Sequence, residues 1–416
     1  MDVLTGRRRN NNPENPIINT RSFGEDPHEV AALVSAFVRG AHEHGLFTTA
    51  KHFPGHGDVQ TDSHISVPVT PACWPRLDTL ELVPFRAAIA AGVTAVMTAH
   101  IALPCLEGPD PLPATLSPQI MTGLLRDSLD FHGIVVTDAL TMGAIVSKFG
   151  AGESAVRAFL AGSDLLLMPN DIGAAIDAMA AAVDSGRISM ARLDASVRRI
   201  LALKVAAGLF RHRTVPLDSV PVVVGQAAFQ HVAEDIAQRA VTLVRRGPID
   251  TLRAARGRLA VVLYAEETNL SIGNELIKDL RAAGDTVSAF RLYPASGPLS
   301  YDSARAVLAR SPRALFASSV RPIAWRGNIA LPDSLAAMID STAAHRSTML
   351  VSFGSPYLLD QLPDFDGGYL LAWSDDLAAE RAVARALAGL APITGHLPIT
   401  LSDGIPRGAG IQVEGP

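Results

Sequence analysis

With 416 residues, 48% hydrophobic and 19% charged, the chain has material for two or three domains with their own cores and is not disordered. A net charge of −5, with Arg7-Arg8-Arg9 as the one tight basic cluster, argues against a nucleic-acid partner. No apolar run is clean enough to span a bilayer; the nearest, 87–104, is interrupted by His100.

Residues 1–26 are polar, rich in Asn and Pro, and read as an extended segment and loop. Apolar residues at helical spacing (Val30, Leu33, Val34, Phe37, Val38, Ala41) predict an amphipathic helix over 27–45. A buried strand over 46–53 follows, ending in Lys51-His52. Pro54, Gly55 and Gly57 then force a loop that runs to Pro68. The alternation continues with a helix at 80–91, a strand at 93–99, a helix at 119–130 and a β-branched strand at 133–138. A helix at 153–161, a fourth buried strand at 164–169 and helices at 172–184 and 190–209 complete this half. Strands that are nearly all apolar, alternating with helices, imply a parallel sheet covered on both faces.

The Pro-bearing stretch 211–225 changes the texture and is the expected linker, followed by a helix over 227–240. Strands at 259–265, 286–292, 314–319, 348–354 and 368–373, with helices at 273–283, 334–344 and 378–388, predict an open doubly wound α/β domain. A short strand near 241–245 is expected to join it.

Several strand ends carry polar groups at the edge where parallel α/β sheets bind ligands: Lys51, His52, His100 and Asp138. Asp138 is there a candidate nucleophile or base, or else the N-cap of the following helix. In Asp62-Ser63-His64 an extended loop would project Asp62 and His64 to one side, the carboxylate fixing the imidazole tautomer for proton transfer near neutral pH. The alternative is an Asx-type loop with an exposed histidine. Five histidines between His42 and His64 raise the question of a metal, but no zinc-type spacing is present and no metal is expected. Cys73 and Cys105 cannot form a disulfide framework; two buried thiols are expected, with one isolated pair as the alternative.

Lys51-His52-Phe53-Pro54-Gly55-His56-Gly57, Asp62-Ser63-His64 and Val136-Thr137-Asp138-Ala139-Leu140 together resemble glycoside hydrolase family 3, in its bacterial β-N-acetylhexosaminidase branch. The segment 19–23, Val-Arg-Arg-Ile-Leu-Ala-Leu-Lys at 197–204 and Ser-Phe-Gly-Ser-Pro-Tyr at 352–357 extend the likeness over nearly the whole chain. The resemblance implies a (β/α)8-type barrel followed by an α/β sandwich domain. The expected division is a catalytic domain at 1–210, a linker and connecting helix at 211–240 and a C-terminal domain at 241–416. Only four strands are read before the linker, with Asp2-Val3-Leu4 as a remnant of another, so the barrel is expected to be N-terminally truncated.

The resemblance also implies a retaining exo-β-N-acetylglucosaminidase acting on cell-wall or chitin-type oligosaccharides in peptidoglycan turnover, without a cofactor. Asp138 would be the nucleophile and His64, oriented by Asp62, the general acid/base; Arg21, Lys51 and His52 would bind sugar hydroxyls. A phosphorylase of the same branch and an inactive truncated homologue are the alternatives. Met1-Asp2 and the arginines and asparagines after it do not make a signal peptide, so the chain as written reads as cytoplasmic. An upstream segment would open secretion or a lipid anchor.

Overall fold

The structure is a computed structural model that describes residues 15, 17–59, 61, 66–323, 329–401 and 404–416. It separates into two compact units, one running to Pro216 and the other built from Leu217–Pro322 and Ile329–Pro416.

In the first unit three parallel strands, β1 (Thr49–Phe53), β2 (Ala95–Thr98) and β3 (Ile134–Val136), lie in that order. Helix α1 (Pro27–Glu43) starts where Asp26 accepts hydrogen bonds from the amides of His28 and Glu29, with Pro27 at its first position. Its buried stripe of Val30, Val34 and Val38 shares a core with Phe85 of α2 (Leu82–Ala90), Phe53 and Val96. Phe53 and Phe85 meet edge to face, with ring centroids 5.2 Å apart. A wide, π-type helix (Gln119–Ser128) contributes Ile120, Met121, Leu124 and Leu125 to the same core. Further helices are α3 (Gly143–Ala161), α4 (Ile172–Asp184) and α5 (Met190–Ala206).

Two expectations are corrected here. The fourth strand over 164–169 is reduced to a single parallel bridge, Val136 to Leu165, and Leu165, Leu167 and Met168 are exposed. Among the described residues nothing lies beyond it to extend the ladder, and the arc of strands does not close. Leu33, Phe37, Leu46 and Phe47, on and after α1, are exposed as well. The cysteines, expected as separate buried thiols, form a disulfide between a half-buried Cys73 and an exposed Cys105, with Cα atoms 5.1 Å apart. Pairing of Pro68–Thr70 with Ala102 brings them together: the Thr70 amide donates to Ala102 O (3.0 Å) and the Ala102 amide to Pro68 O (2.8 Å). Closing a loop of 32 residues restrains the unfolded chain by about 4 kcal/mol in the loop-entropy account. Asp2-Val3-Leu4 lies outside the described residues.

At the opposite end of the sheet, the fully buried Asp164 carboxylate ties α5 to β3. It accepts from Arg126 Nη2 (2.7 Å), Arg199 Nη1 (3.1 Å), the Ser196 hydroxyl and the Val135 amide, with Arg192 Nη1 at 3.7 Å.

The second unit is a six-stranded sheet in the order β4-β9-β8-β7-β5-β6, made of Thr242–Arg245, Gly368–Leu371, Ser347–Ser352, Arg313–Ser318, Arg258–Tyr264 and Thr286–Leu292. All neighbours are parallel except β4, which pairs antiparallel with β9. Alternate residues of β5 feed two cores on opposite faces: Leu259, Val261 and Leu263 into one, Ala260, Val262 and Tyr264 into the other. The buried Glu380 carboxylate accepts from the Gly273 and Leu276 amides and so satisfies the start of the helix Asn274–Ala282.

Candidate active site

The three parallel strands deliver their polar ends to one edge. The pairing of β1 with β2 slips between Ala50 and Phe53, so one extra residue is accommodated at Lys51-His52. The peptide bonds Lys51–His52 and Phe53–Pro54 are both cis. His52 Nε2 lies 3.6 Å from Asp138 Oδ2, the imidazole buried and the carboxylate 19% exposed. His100, two residues beyond β2, is fully buried beside the same segment, its Nε2 3.0 Å from Ala139 O. Asp138 caps no helix: the next one begins at Gly143 after Met142, and the Asp138 carboxylate instead accepts from the Ala139 amide at 2.8 Å. Of the two readings of Asp138 from sequence, the N-cap is therefore excluded.

Burial pushes the Asp138 carboxyl up, but the His52 and His100 imidazoles and the Ala139 amide more than offset this, so it lies below its ordinary value. A half-buried carboxylate held ionised, open on one side, can act as a nucleophile or as an electrostatic partner for a developing positive charge.

The loop after β1 is fastened from three directions. Buried Asn15 donates from Nδ2 to the carbonyls of His56 (2.9 Å) and Gly57 (3.1 Å), and its Oδ1 accepts from the Ile17 and Ile18 amides. Arg76 bridges Asp58 (2.6 Å) and the buried Glu81 (2.8 Å). Burial raises the Glu81 carboxyl above its ordinary range, and the Arg76 guanidinium opposes that rise without cancelling it. Gly55, at φ +139°, passes so close that a Cβ would lie 2.8 Å from Glu81 Cγ, which restricts the position to glycine. Asn15, Arg76 and Glu81 were not found from sequence. For Glu81 the signal was a carboxylate at the head of the apolar stretch 80–85.

The placement of the expected residues is uneven. His52 and Asp138 are brought together. Lys51 is half-buried on β1, and Arg21 is exposed, donating from Nη1 to Ile17 O at 2.9 Å. Asp62 and His64 lie outside the described residues. Among the described residues no three His, Cys, Asp or Glu side chains gather as a metal site would require, and no helix is long and apolar enough to cross a membrane.

His56 packs edge-on to His52, with centroids 5.8 Å apart. Its pKa is lowered to about 3, chiefly by burial and then by the adjacent His52. It is neutral in the fold, whereas in the unfolded chain it takes up a proton below about pH 6.5. The stability it permits is complete above that value and lost as pH falls from about 6.5 toward 3, reaching about 3 kcal/mol by pH 4. His56→Gln is expected to flatten this part of the pH dependence when denaturant unfolding at pH 7 and pH 4 is compared with the parent. An unchanged slope would show that the loss comes from other groups.

The glycosyl hydrolase family 3 N-terminal domain model matches residues 9–203. A β-N-acetylglucosaminidase/β-glucosidase from Cellulomonas fimi is 31% identical over 412 residues, covering 93% of this chain and 72% of that protein. A β-hexosaminidase from Stenotrophomonas maltophilia is 43% identical over 155 residues, or 37% of this chain and 45% of that one; the chain thus spans under half of some relatives. Among solved structures, a family 3 β-N-acetylglucosaminidase from Paenibacillus superposes with a TM-score of 0.84 at 33% identity, over 97% of this chain and 76% of that one. The first unit is accordingly an incomplete (β/α)8-type barrel and the second an α/β sandwich domain. With the edge of ionisable groups where such barrels keep their chemistry, the chain belongs to glycosyl hydrolase family 3.

Proposed function

We propose that the protein is a retaining exo-β-N-acetylglucosaminidase that removes terminal N-acetylglucosamine from cell-wall or chitin-type oligosaccharides. The observation that carries this reading is the Asp138 carboxylate, kept ionised at the end of β3 with His52 at 3.6 Å. The names of the relatives from Cellulomonas and Stenotrophomonas and of the Paenibacillus structure support the sugar.

In this mechanism an Asp138 oxygen attacks the anomeric carbon while His64, held by Asp62, gives a proton to the departing aglycone oxygen. The resulting glycosyl ester is then opened by water, whose proton returns to His64. A histidine suits this double duty because it titrates near neutral pH without needing burial to tune it. Arg21, Lys51 and His52 bind the sugar hydroxyls. No metal or organic cofactor enters any step. The Cys73–Cys105 disulfide supports an oxidising compartment, and hence secretion rather than a cytoplasmic location.

The test is release of nitrophenol from a nitrophenyl N-acetyl-β-glucosaminide by residues 1–416, with and without inorganic phosphate. Release without phosphate is the expected result. Release only with phosphate would make the protein a phosphorylase, and no release in either buffer would make it a non-catalytic homologue.

A further inference from the structure

Thr98, His100 and Thr115 are all fully buried, and the mechanism above uses none of them. They form a continuous set of hydrogen bonds. The Asp138 amide donates to Thr98 Oγ1 (3.3 Å), Thr98 Oγ1 lies 2.7 Å from Thr115 Oγ1, and Thr115 Oγ1 lies 2.7 Å from His100 Nδ1. His100 Nε2 completes the path at Ala139 O, 3.0 Å away.

A carbonyl only accepts, so Nε2 must carry a hydrogen. The other nitrogen can take either role, because the Thr115 hydroxyl can give its proton to Nδ1 or to Ala99 O (3.0 Å). Ala99 O also has the Thr115 amide at 3.3 Å, so neither arrangement leaves it without a donor. Whichever way the hydroxyls point, the imidazole grips the carbonyl that follows Asp138, and the threonines grip the amide that precedes its side chain. The Ala139 amide holds the carboxylate itself at 2.8 Å. A short segment fixed at its amide, its carboxylate and its next carbonyl has little freedom to swing. Buried networks that are fully satisfied are rigid for that reason.

We propose that His100, acting through Ala139 O and with Thr115 and Thr98 behind it, is a positioning residue that holds Asp138 at the attack distance and angle. This rests on Asp138 being the nucleophile. It concerns formation of the covalent intermediate, not recognition of the sugar.

The probe is a 5-fluoro-N-acetylglucosaminyl fluoride, which esterifies a glycosidase nucleophile and then turns over slowly, followed by mass mapping of the labelled peptide. His100→Leu is expected to be trapped about 10- to 100-fold more slowly at saturating probe, the cost of a misplacement of about an ångström, with half-saturation changed by less than about 3-fold. His100→Gln, whose amide can still donate to Ala139 O, is expected to recover most of the rate. Should His100→Leu lose its cooperative unfolding transition, Thr115→Val, which removes one hydroxyl at nearly constant shape, replaces it with the same expectation. Trapping at the parent rate in the variant that folds, or a loss confined to half-saturation, would overturn the proposal while leaving Asp138 as nucleophile. A label found on a residue other than Asp138 in the parent protein would remove the nucleophile assignment and this proposal with it.

Discussion

Asp138→Asn is expected to lower kcat on a nitrophenyl N-acetylglucosaminide by about 10^4-fold or more, the scale on which loss of a covalent nucleophile acts. The substitution keeps the size of the side chain and an oxygen able to accept from the Ala139 amide at the Oδ1 position. It removes the charge that the neighbouring imidazoles sustain. A neutral amide cannot form the glycosyl ester, so the reaction is left with only whatever binding and proton donation achieve unaided. Because Asp138 is partly exposed and caps no helix, the fold should survive, and thermal unfolding within a few degrees of the parent is the control. Turnover by the variant at a comparable rate would end the retaining mechanism with Asp138 as its nucleophile.

The second large effect is on stability and lies at the other end of the sheet. Asp164→Ala is expected to destabilise the first unit by about 3–5 kcal/mol, the usual result of removing one side of a buried ion pair. The carboxylate is 0% exposed and faces Arg126, Arg192 and Arg199, whose side chains are 11%, 23% and 32% exposed. Without it three guanidiniums confront one another with no anion between them, and the Val135 amide and Ser196 hydroxyl lose an acceptor. Hydrogen exchange of the β1–β3 amides reads this unit separately from the other. Adding Arg126→Met to Asp164→Ala should recover part of the loss, since it removes the most buried of the orphaned charges. A double variant as unstable as the sum of the two single ones would mean that the two groups do not interact.

The second unit was the more legible in sequence, because its central strands β5, β7, β8 and β9 are buried on both faces and read as mostly apolar runs. The expected 286–292 matches β6 to the residue, and the others differ by one or two. In the first unit the strands were found in the right places but too long: Leu46 and Phe47 are apolar yet exposed ahead of β1, and over 164–169 the pairing is limited to the bridge at Leu165. Periodicity reports the wish to be buried and not the presence of a partner. The disulfide was legible only as an alternative, because 32 residues of separation say nothing about whether two Cα atoms come within bridging distance. At the site, Asp138 and His52 stood out as polar ends of apolar strands. Asn15, Arg76 and Glu81 act through backbone carbonyls and side chains far away in sequence, and Thr98 and Thr115 look like ordinary strand and loop threonines until their hydroxyls are seen 2.7 Å apart.

The antiparallel strand at the margin of the second sheet has a consequence for biosynthesis. Thr242–Arg245 is the first strand of its sheet to leave the ribosome, yet its pairing partner ends roughly 130 residues later at Leu371, and the Leu243 carbonyl also receives the Ile411 amide. At about 5–20 residues per second the nascent strand waits on the order of ten seconds for its neighbour. During that interval Val241 and Leu243, completely covered in the finished protein, are open to any other nascent edge, whereas β1, β2 and β3 can assemble as they emerge.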